Sequence, residues 1–277
     1  VYRSSNAVIA PDLVAGFALS AADLGLLTST YFLAFAATQA PLGILLDRYG
    51  PRRTNAGLLL IAAVGALVFA CSQGLSTLLV GRALIGLGVS ACLMSSIKAF
   101  TLWFPLSRLP AMTGWVMFVG GIGAMVATAP VEAALHLTSW RGIFIAVSVL
   151  TFGAAAAIFL VVPERDAGAH DQSLRQQVRG LAQVFGTAVF WRVAAASALF
   201  QATNMALQGL WAGPWLADVA GLDRPAVALY LLLLAAATTL GFLAWGLAAS
   251  RLARFGISAT LLFKIGTTGF LLTQILL

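Results

Sequence analysis

Long uncharged stretches alternate with short charged segments along the whole chain. The apolar runs predict membrane-spanning helices at about residues 22–46, 55–75, 77–99, 111–131, 141–162, 190–216, 225–249 and 257–277, and residues 1–10 supply half a span before Pro11. Runs of about 20 apolar residues can cross a hydrocarbon core of about 30 Å as helices, which satisfy their own backbone hydrogen bonds there. The pattern predicts an all-α, polytopic membrane protein.

Composition supports this prediction, since 61% of the residues are hydrophobic, 9% are charged and the mean hydropathy is +0.97. A soluble domain has about 45–50% apolar and about 25% charged residues. The net charge of +7 comes from basic residues in short loops, which indicate membrane topology and not nucleic-acid binding. Cys71 and Cys92 lie far apart without a metal-ligand pattern, so we expect neither a metal nor a cofactor.

The basic residues also predict the orientation of the chain. If the loop at Arg48 is cytoplasmic, eleven arginines and lysines fall inside, and only Arg141 and Arg224 fall outside. The inside set is Arg48, Arg52, Arg53, Lys98, Arg108, Arg165, Arg175, Arg179, Arg192, Arg251 and Arg254. By the positive-inside rule, the loops at 47–54, 98–110, 163–189 and 250–256 are cytoplasmic and the protein is a multi-pass protein of the cell (inner) membrane.

The longest connection divides the chain. Within it, "DQSLRQQVRGLAQVF" places Leu174, Val178 and Leu181 on one stripe, which predicts an amphipathic helix on the inner membrane face. We therefore expect an N-terminal bundle at 1–162, a cytoplasmic linker at 163–189 and a partial C-terminal bundle at 190–277. The chain begins with Val1 and ends within an apolar run, so we expect it to be a fragment that lacks the start of its first span and everything after about the ninth.

A short motif recurs after this divide. Aligning "GILLDRYG" with "GLAASRLARFG" matches Gly43 to Gly246, Asp47 to Ser250 and Arg48 to Arg251, at an offset of 203 residues. The acidic residue is lost in the second copy. Parallel repeats of spans on either side of a central cytoplasmic loop are known among membrane transporters.

The first copy resembles a family signature. "GILLDRYGPRRT" is similar to the motif between spans two and three of the major facilitator superfamily, with Pro51 in place of an arginine, and "GRALIGLG" resembles that family's second motif. The resemblance implies two six-helix bundles, here truncated, and transport by alternating access. It also implies a conformational latch formed by Gly43, Asp47, Arg48, Gly50, Arg52 and Arg53, and a structural or coupling role for Arg82 and Gly86.

The latch has a physical rationale. Gly43 removes a side chain where span two would approach a helix of the other bundle, and Asp47 lies at a helix C-terminus, where the dipole disfavours an anion unless arginines offset it. Alternatively, Arg48, Arg52 and Arg53 are only topology anchors.

Charged residues inside the spans indicate the substrate, because a charge at bilayer depth is costly. Arg3 lies eight residues, or roughly 12 Å of helix, before Pro11, near the predicted midplane. Anion-transporting families of the superfamily resemble this chain in having an arginine there, which implies that Arg3 binds an anionic substrate group. The alternative is a structural arginine bonded to backbone carbonyls.

Span seven offers neutral donors. Gln201, Asn204, Gln208 and Trp211 lie on it, and the last three share one helical face. Met205 stands where organophosphate antiporters have a second arginine, so we expect a monocarboxylate with an apolar or hydroxylated body. These polar residues could instead be helix-packing contacts.

The remaining intramembrane residues say less. Arg82 lies close enough to the outer end of span four to reach water, and we expect it to bond to other helices. Lys264 lies within the predicted last span. No acidic residue lies at the centre of a predicted span, with Glu132 the nearest, so a coupling proton or ion is not assigned.

The sequence thus favours a secondary active transporter of a small organic anion, acting as a monomer in the lipid bilayer. An exporter of drugs or metabolites is the alternative, although the predicted fifth span lacks the Gly-Pro pair of such antiporters. A membrane enzyme or sensor is less favoured, because no catalytic set accompanies His136 and His170.

Overall fold

The computed structural model describes residue 2 and the ranges 5–127, 129–163, 174–206, 212 and 215–276. Within these ranges the secondary structure is helical and contains no strand. The α-helices are α1 (Ser5–Phe17), α2 (Ala21–Ala70), α3 (Leu75–Val89), α4 (Cys92–Trp103), α5 (Leu109–Val126), α6 (Ala129–Leu135), α7 (Trp140–Val161), α8 (Leu174–Phe185), α9 (Ala188–Ala206), α10 (Arg224–Arg254) and α11 (Ala259–Leu276). The predicted all-α fold is confirmed.

Five helical segments of the described ranges are long and apolar enough to cross a membrane. They are Ala21–Ala70, Leu75–Trp103, Leu106–Val126, Trp140–Val161 and Leu229–Ala253. The first would extend about 75 Å if it were straight, which is more than twice the thickness of a hydrocarbon core. The structure therefore agrees with a multi-pass membrane protein.

Helix α2 contains two of the predicted spans. Its N-terminus is capped by Ser20, whose hydroxyl accepts from the Asp23 amide at 3.2 Å while the Asp23 carboxylate accepts from the Ser20 amide at 2.9 Å. The helix breaks at Gly50, whose φ of 75° and ψ of 165° are not helical. We expected a loop at 47–54, but helical structure continues up to Gly50 and resumes at Pro51, which suits the first turn of a helix.

Helix α1 corrects the predicted end of the first span. Pro11 lies inside α1, which continues to Phe17. A proline removes one hydrogen bond of a helix, but it is tolerated in membrane-spanning helices. The predicted depth of Arg3 was counted from Pro11 and therefore from the wrong end of the helix.

The first half of the chain, up to residue 162, has an aromatic and aliphatic core. It is formed where α1, α2, α3 and α7 meet, and its buried members include Ile9, Leu27, Phe69, Ile85 and Phe144. The ring centroids of Phe69 and Phe144 are 4.6 Å apart. The hydroxyl of Ser148 on α7 donates to the carbonyl of Ala63 on α2 at 2.7 Å, so a buried hydrogen bond also joins these helices.

Among the described helices, the second half, from residue 190 onward, contacts the first mainly where α10 packs along α5. Many apolar side chains on the outside of the described helices are exposed, as Leu150 and Leu160 on α7 and Leu199 on α9 illustrate. Lipid tails would cover such side chains in a membrane.

Two predicted spans are interrupted and one predicted linker helix is present. Span four is divided into α3 and α4, and span five into α5 and α6, which the hydropathy pattern did not indicate. The amphipathic helix predicted in the linker forms as α8. The division into two bundles with a linker stays a prediction.

Candidate functional site

The charged turn, residues 43–54, is built on the break in α2. Gly50 adopts a left-handed φ of 75°, which L side chains rarely adopt, so glycine suits this position. The hydroxyl of Thr54 donates to the carbonyl of Leu45 at 3.0 Å across the break. These two features reverse the chain between the second and third spans without a loop.

Asp47 pairs with a lysine that the sequence analysis did not associate with it. Its Oδ1 lies 2.8 Å from Nζ of Lys98 on α4, and the two side chains are 45% and 31% exposed, respectively. We expected the neighbouring arginines to offset the carboxylate. The partner is instead 51 residues away in the sequence, which indicates Lys98 only as a basic residue of a predicted inner loop.

Arg52 contacts the end of α7. Its Nε donates to the carbonyl of Phe159 at 2.8 Å, and its guanidinium lies 4.8 Å from the ring centroid of Phe159. A cation is favourable at a helix C-terminus because the dipole is negative there. Arg52 therefore ties the third span to the sixth.

The other predicted latch residues are exposed. Arg48 lies with its guanidinium 5.7 Å from the ring of Tyr49, and Arg53 is exposed. Gly43 is exposed as well, and no described atom lies within 4 Å of the position that a Cβ would take. The described contacts, of Asp47 with Lys98 and of Arg52 with Phe159, lie within the first half. A latch between the two bundles stays a prediction.

The second copy of the motif does contact the other half. A Cβ on Gly246 would lie 2.6 Å from the Pro110 carbonyl oxygen and 2.9 Å from Cα of Gly114. Ser250 is 5% exposed, and its hydroxyl accepts from the amide of Ala111 at 2.8 Å. We call this contact between α5 and α10 the glycine seam.

Arg82 is buried, contrary to the expectation that it could reach water. The residue is 1% exposed, and its Nη1 donates to the carbonyl of Tyr2 at 3.1 Å. Its guanidinium lies 4.6 Å from the ring of Phe69 and 5.6 Å from that of Phe144. Two aromatic faces and a backbone carbonyl thus hold this cation, in agreement with the expected bonding to other helices.

Gly86 lies where α3 crosses α2. A Cβ there would overlap the backbone carbonyl of Tyr31, so only glycine permits this approach. Gly86 therefore sets the distance between the second and fourth spans.

Most side chains of the predicted substrate site lie outside the described residues. Arg3, Gln208 and Trp211 lie outside the described residues, as does the side chain of Asn204. Gln201 is exposed on α9. Tyr2, which precedes Arg3, is 8% exposed, and its hydroxyl is 2.8 Å from Oγ1 of Thr151.

The described residues contain no group of three or more histidine, cysteine or acidic side chains that could hold a metal ion. Lys264 is exposed on α11. The candidate site residues that the structure describes are those of the charged turn and the glycine seam, together with Arg82, Gly86 and Gln201.

Comparison with known proteins gives the family. The sequence matches the Major Facilitator Superfamily over residues 2–277. It is 28% identical over 171 residues to the probable L-galactonate transporter of Escherichia coli (strain K12), which is 59% of this chain and 36% of that protein. It is 29% identical over 210 residues to the hexuronate transporter of the same strain, which is 69% of this chain and 48% of that protein.

A third relative is an exporter by name. The efflux pump aunC of Aspergillus niger is 28% identical over 169 residues, which cover 61% of this chain and 32% of that protein. The chain spans less than half the length of each of these three relatives. Because the family match extends over nearly the whole sequence, the chain belongs to the Major Facilitator Superfamily.

Proposed function

We propose that this chain is part of a secondary active transporter that moves a small organic anion across the cell membrane by alternating access. The observation that carries the mechanism is the glycine seam, where two helices from different halves meet backbone to backbone. Contacts between small residues let the backbones of two bundles approach closely, and such a close crossing can act as the pivot when the bundles rock against each other.

The substrate class rests on Arg3 and on the names of two relatives. Galactonate and hexuronates are monocarboxylates with hydroxylated bodies, and the relatives are named as transporters of these compounds. A guanidinium is suited to bind a carboxylate through two parallel hydrogen bonds. Gln201, Asn204, Gln208 and Trp211 supply the neutral donors and the aromatic face that hydroxyl groups and a carbon skeleton require.

The test is uptake of a radiolabelled hexuronate by cells that express the complete gene and lack their own hexuronate carriers. We expect Arg3→Lys to reduce uptake and Arg3→Ala to abolish it, because lysine keeps the charge but loses the planar fork. Losing a charge-assisted hydrogen bond should weaken binding by roughly ten- to a hundredfold. Gln201→Ala is the control for a neutral residue on the facing half and should have a smaller effect.

Equal uptake by the wild type and Arg3→Ala at matched expression would contradict the anion hypothesis. An exporter is the second candidate, because one relative is named as an efflux pump. Loss of a preloaded substrate from the cells, without uptake, would favour export.

The orientation is part of this proposal, with the charged turn facing the cytoplasm. Leu106 and Leu137 test it, because they are 80% and 90% exposed and lie at opposite predicted sides. In a background in which every native cysteine, including Cys71 and Cys92, is replaced by serine, a membrane-impermeant maleimide added to intact cells should label Leu137→Cys and not Leu106→Cys. The reverse pattern would invert the topology.

A further inference from the structure

An aromatic corner joins the linker helix α8 to the predicted seventh span. It consists of Phe185 at the end of α8 and of Phe190 and Trp191 in the first turn of α9, and only residues 186–187 separate the two helices. The ring centroid of Phe190 is 4.8 Å from that of Phe185 and 5.3 Å from that of Trp191. The indole Nε1 of Trp191 donates to the carbonyl of Phe185 at 2.8 Å. These contacts hold the end of α8 against the start of α9.

The aromatic corner is largely exposed. Phe185 and Trp191 are 46% and 59% exposed, and the neighbouring Val184 and Val189 are 50% and 68% exposed. By helical spacing, Phe185 also extends the apolar stripe of α8 by one turn. Tryptophan is enriched where a membrane-spanning helix meets the headgroup region, because its ring has an apolar body and a polar edge. The corner therefore has the chemistry of a surface that lies at the membrane interface.

The chain around the aromatic corner is basic. Between residues 172 and 217 the sequence contains Arg175, Arg179 and Arg192 but neither an acidic residue nor a lysine, and the acidic residues of the linker all precede α8. Arg179 on α8 and Arg192 on α9 are exposed. Within the described ranges, neither of these two arginines forms an ion pair.

This combination of charge and apolar surface selects one partner. Aromatic rings alone would suit any lipid tail, but two exposed guanidinium groups beside them are complementary to negative charge at the level of the lipid phosphates. A long arginine side chain can lay its apolar stem on the interface while its charged end reaches a phosphate. A phosphatidylcholine headgroup is neutral overall, whereas an anionic headgroup keeps its negative charge for the arginines.

We propose that the aromatic corner is a binding surface for anionic phospholipid of the inner leaflet. The rings lie at the boundary between headgroups and acyl chains, and Arg179 and Arg192 contact the phosphates. Because α9 also carries Gln201 and Asn204, a lipid bound at the corner fixes the inner end of the helix that bears predicted substrate residues. The inference rests on the orientation proposed above and not on the identity of the substrate.

The test places the full-length protein in nanodiscs that contain a photoactivatable phosphatidylglycerol or a photoactivatable phosphatidylcholine. Both probes have the same acyl chains and carry the reactive diazirine next to the headgroup, and the labelled residues are mapped by mass spectrometry. We expect phosphatidylglycerol to label residues 176–195 roughly tenfold more than phosphatidylcholine does, because each arginine near the surface attracts anionic lipid. The double variant Arg179→Gln and Arg192→Gln should lose this preference. Trp191→Ala should lower labelling by both probes, because the bond between α8 and α9 is lost.

Matched controls separate the aromatic corner from a general attraction to the inner leaflet. The double variant Arg251→Gln and Arg254→Gln removes the same charge from another predicted cytoplasmic segment and should keep the preference at residues 176–195. Trp215→Ala removes a tryptophan that is 57% exposed at the predicted outer side and should change nothing there.

Three results would overturn the inference. They are equal labelling of residues 176–195 by the two probes, a preference that survives in Arg179→Gln with Arg192→Gln, and equal losses in the two double arginine variants. Labelling by Arg3→Ala should match the wild type whatever its uptake, so failure of the substrate proposal and failure of this inference give different results.

Discussion

The two copies of the repeated motif differ in what they contact. In the first copy, Gly43 is exposed and Asp47 pairs with Lys98 inside its own half. In the second copy, Gly246 meets Gly114 of the other half, and Ser250 accepts a hydrogen bond from the amide of Ala111. The same residue spacing therefore supports an ion pair in one copy and a neutral contact between bundles in the other.

Exposure explains why the acid is present in only one copy. Asp47 is 45% exposed, so its charge stays partly hydrated and a surface ion pair is sufficient. Ser250 is 5% exposed, and at such a position a charge would lose its hydration. A hydroxyl satisfies the amide at the start of α5 without introducing a charge. The comparison teaches that both copies place a polar group at the same position of the repeat, while burial decides the type of polar group.

The largest predicted difference concerns the two glycines. Leucine at Gly246 would overlap the backbone of Pro110 and Gly114, so we expect Gly246→Leu to destabilise the protein by at least about 1–3 kcal/mol. Gly43→Leu meets open space and should leave the melting temperature unchanged while cutting uptake sharply, because Gly43 is predicted to approach the other bundle. Melting curves in detergent and uptake at equal expression check both. A melting temperature for Gly246→Leu equal to that of the wild type would show that the seam does not constrain the fold.

The next prediction concerns the polar group of the second copy. Ser250→Ala leaves the buried amide of Ala111 without its partner, so the free energy of unfolding should fall by about 1–3 kcal/mol. Ser29→Ala is the matched control, because the Ser29 hydroxyl is exposed and donates only to the carbonyl of Gly25 in its own helix. Equal losses in both variants would show that the hydrogen bond between α5 and α10 stabilises the protein no more than an exposed one within a single helix.

The smallest predicted effect on stability belongs to the ion pair of the first copy. Asp47→Asn and Lys98→Gln should each lower the free energy of unfolding by about 0.2–1 kcal/mol, because the pair is partly exposed. The double variant should be no less stable than either single variant, since all three lack the pair. Uptake by Asp47→Asn should nevertheless fall sharply with membrane insertion intact. Additive losses in the double variant would mean that the two side chains act independently. Normal uptake by Asp47→Asn would mean that the turn is only a topology anchor.

The sequence predicted the features that depend on regular periodicity. Apolar runs located the segments that form long apolar helices, and the amphipathic stripe located α8. These features follow from composition and helical geometry alone. Whether the two halves superpose stays a prediction.

The features that the sequence did not predict depend on tertiary contacts. Lys98 is 51 residues from Asp47, and Arg82 is buried because Phe69 and Phe144 happen to enclose it. The charged residues of the turn predicted a loop, but only Gly50 leaves the helical conformation and helical structure continues on both sides of it. Hydropathy also gives no sign of the interruptions in the fourth and fifth spans, because the small residues there, such as Ser90 and Ala127, occur equally within uninterrupted apolar helices.

The neutrality of the glycine seam has a consequence for the response of the protein to salt. Dissolved ions screen exposed charges over a Debye length of about 8 Å at 0.15 M ionic strength, but they leave a buried hydrogen bond between uncharged groups unaffected. The Ser250 and Ala111 contact is therefore independent of ionic strength, whereas the Asp47 and Lys98 pair weakens as salt rises. A change of ionic strength would therefore alter the stability of the charged turn and leave the hydrogen bond of the glycine seam unchanged.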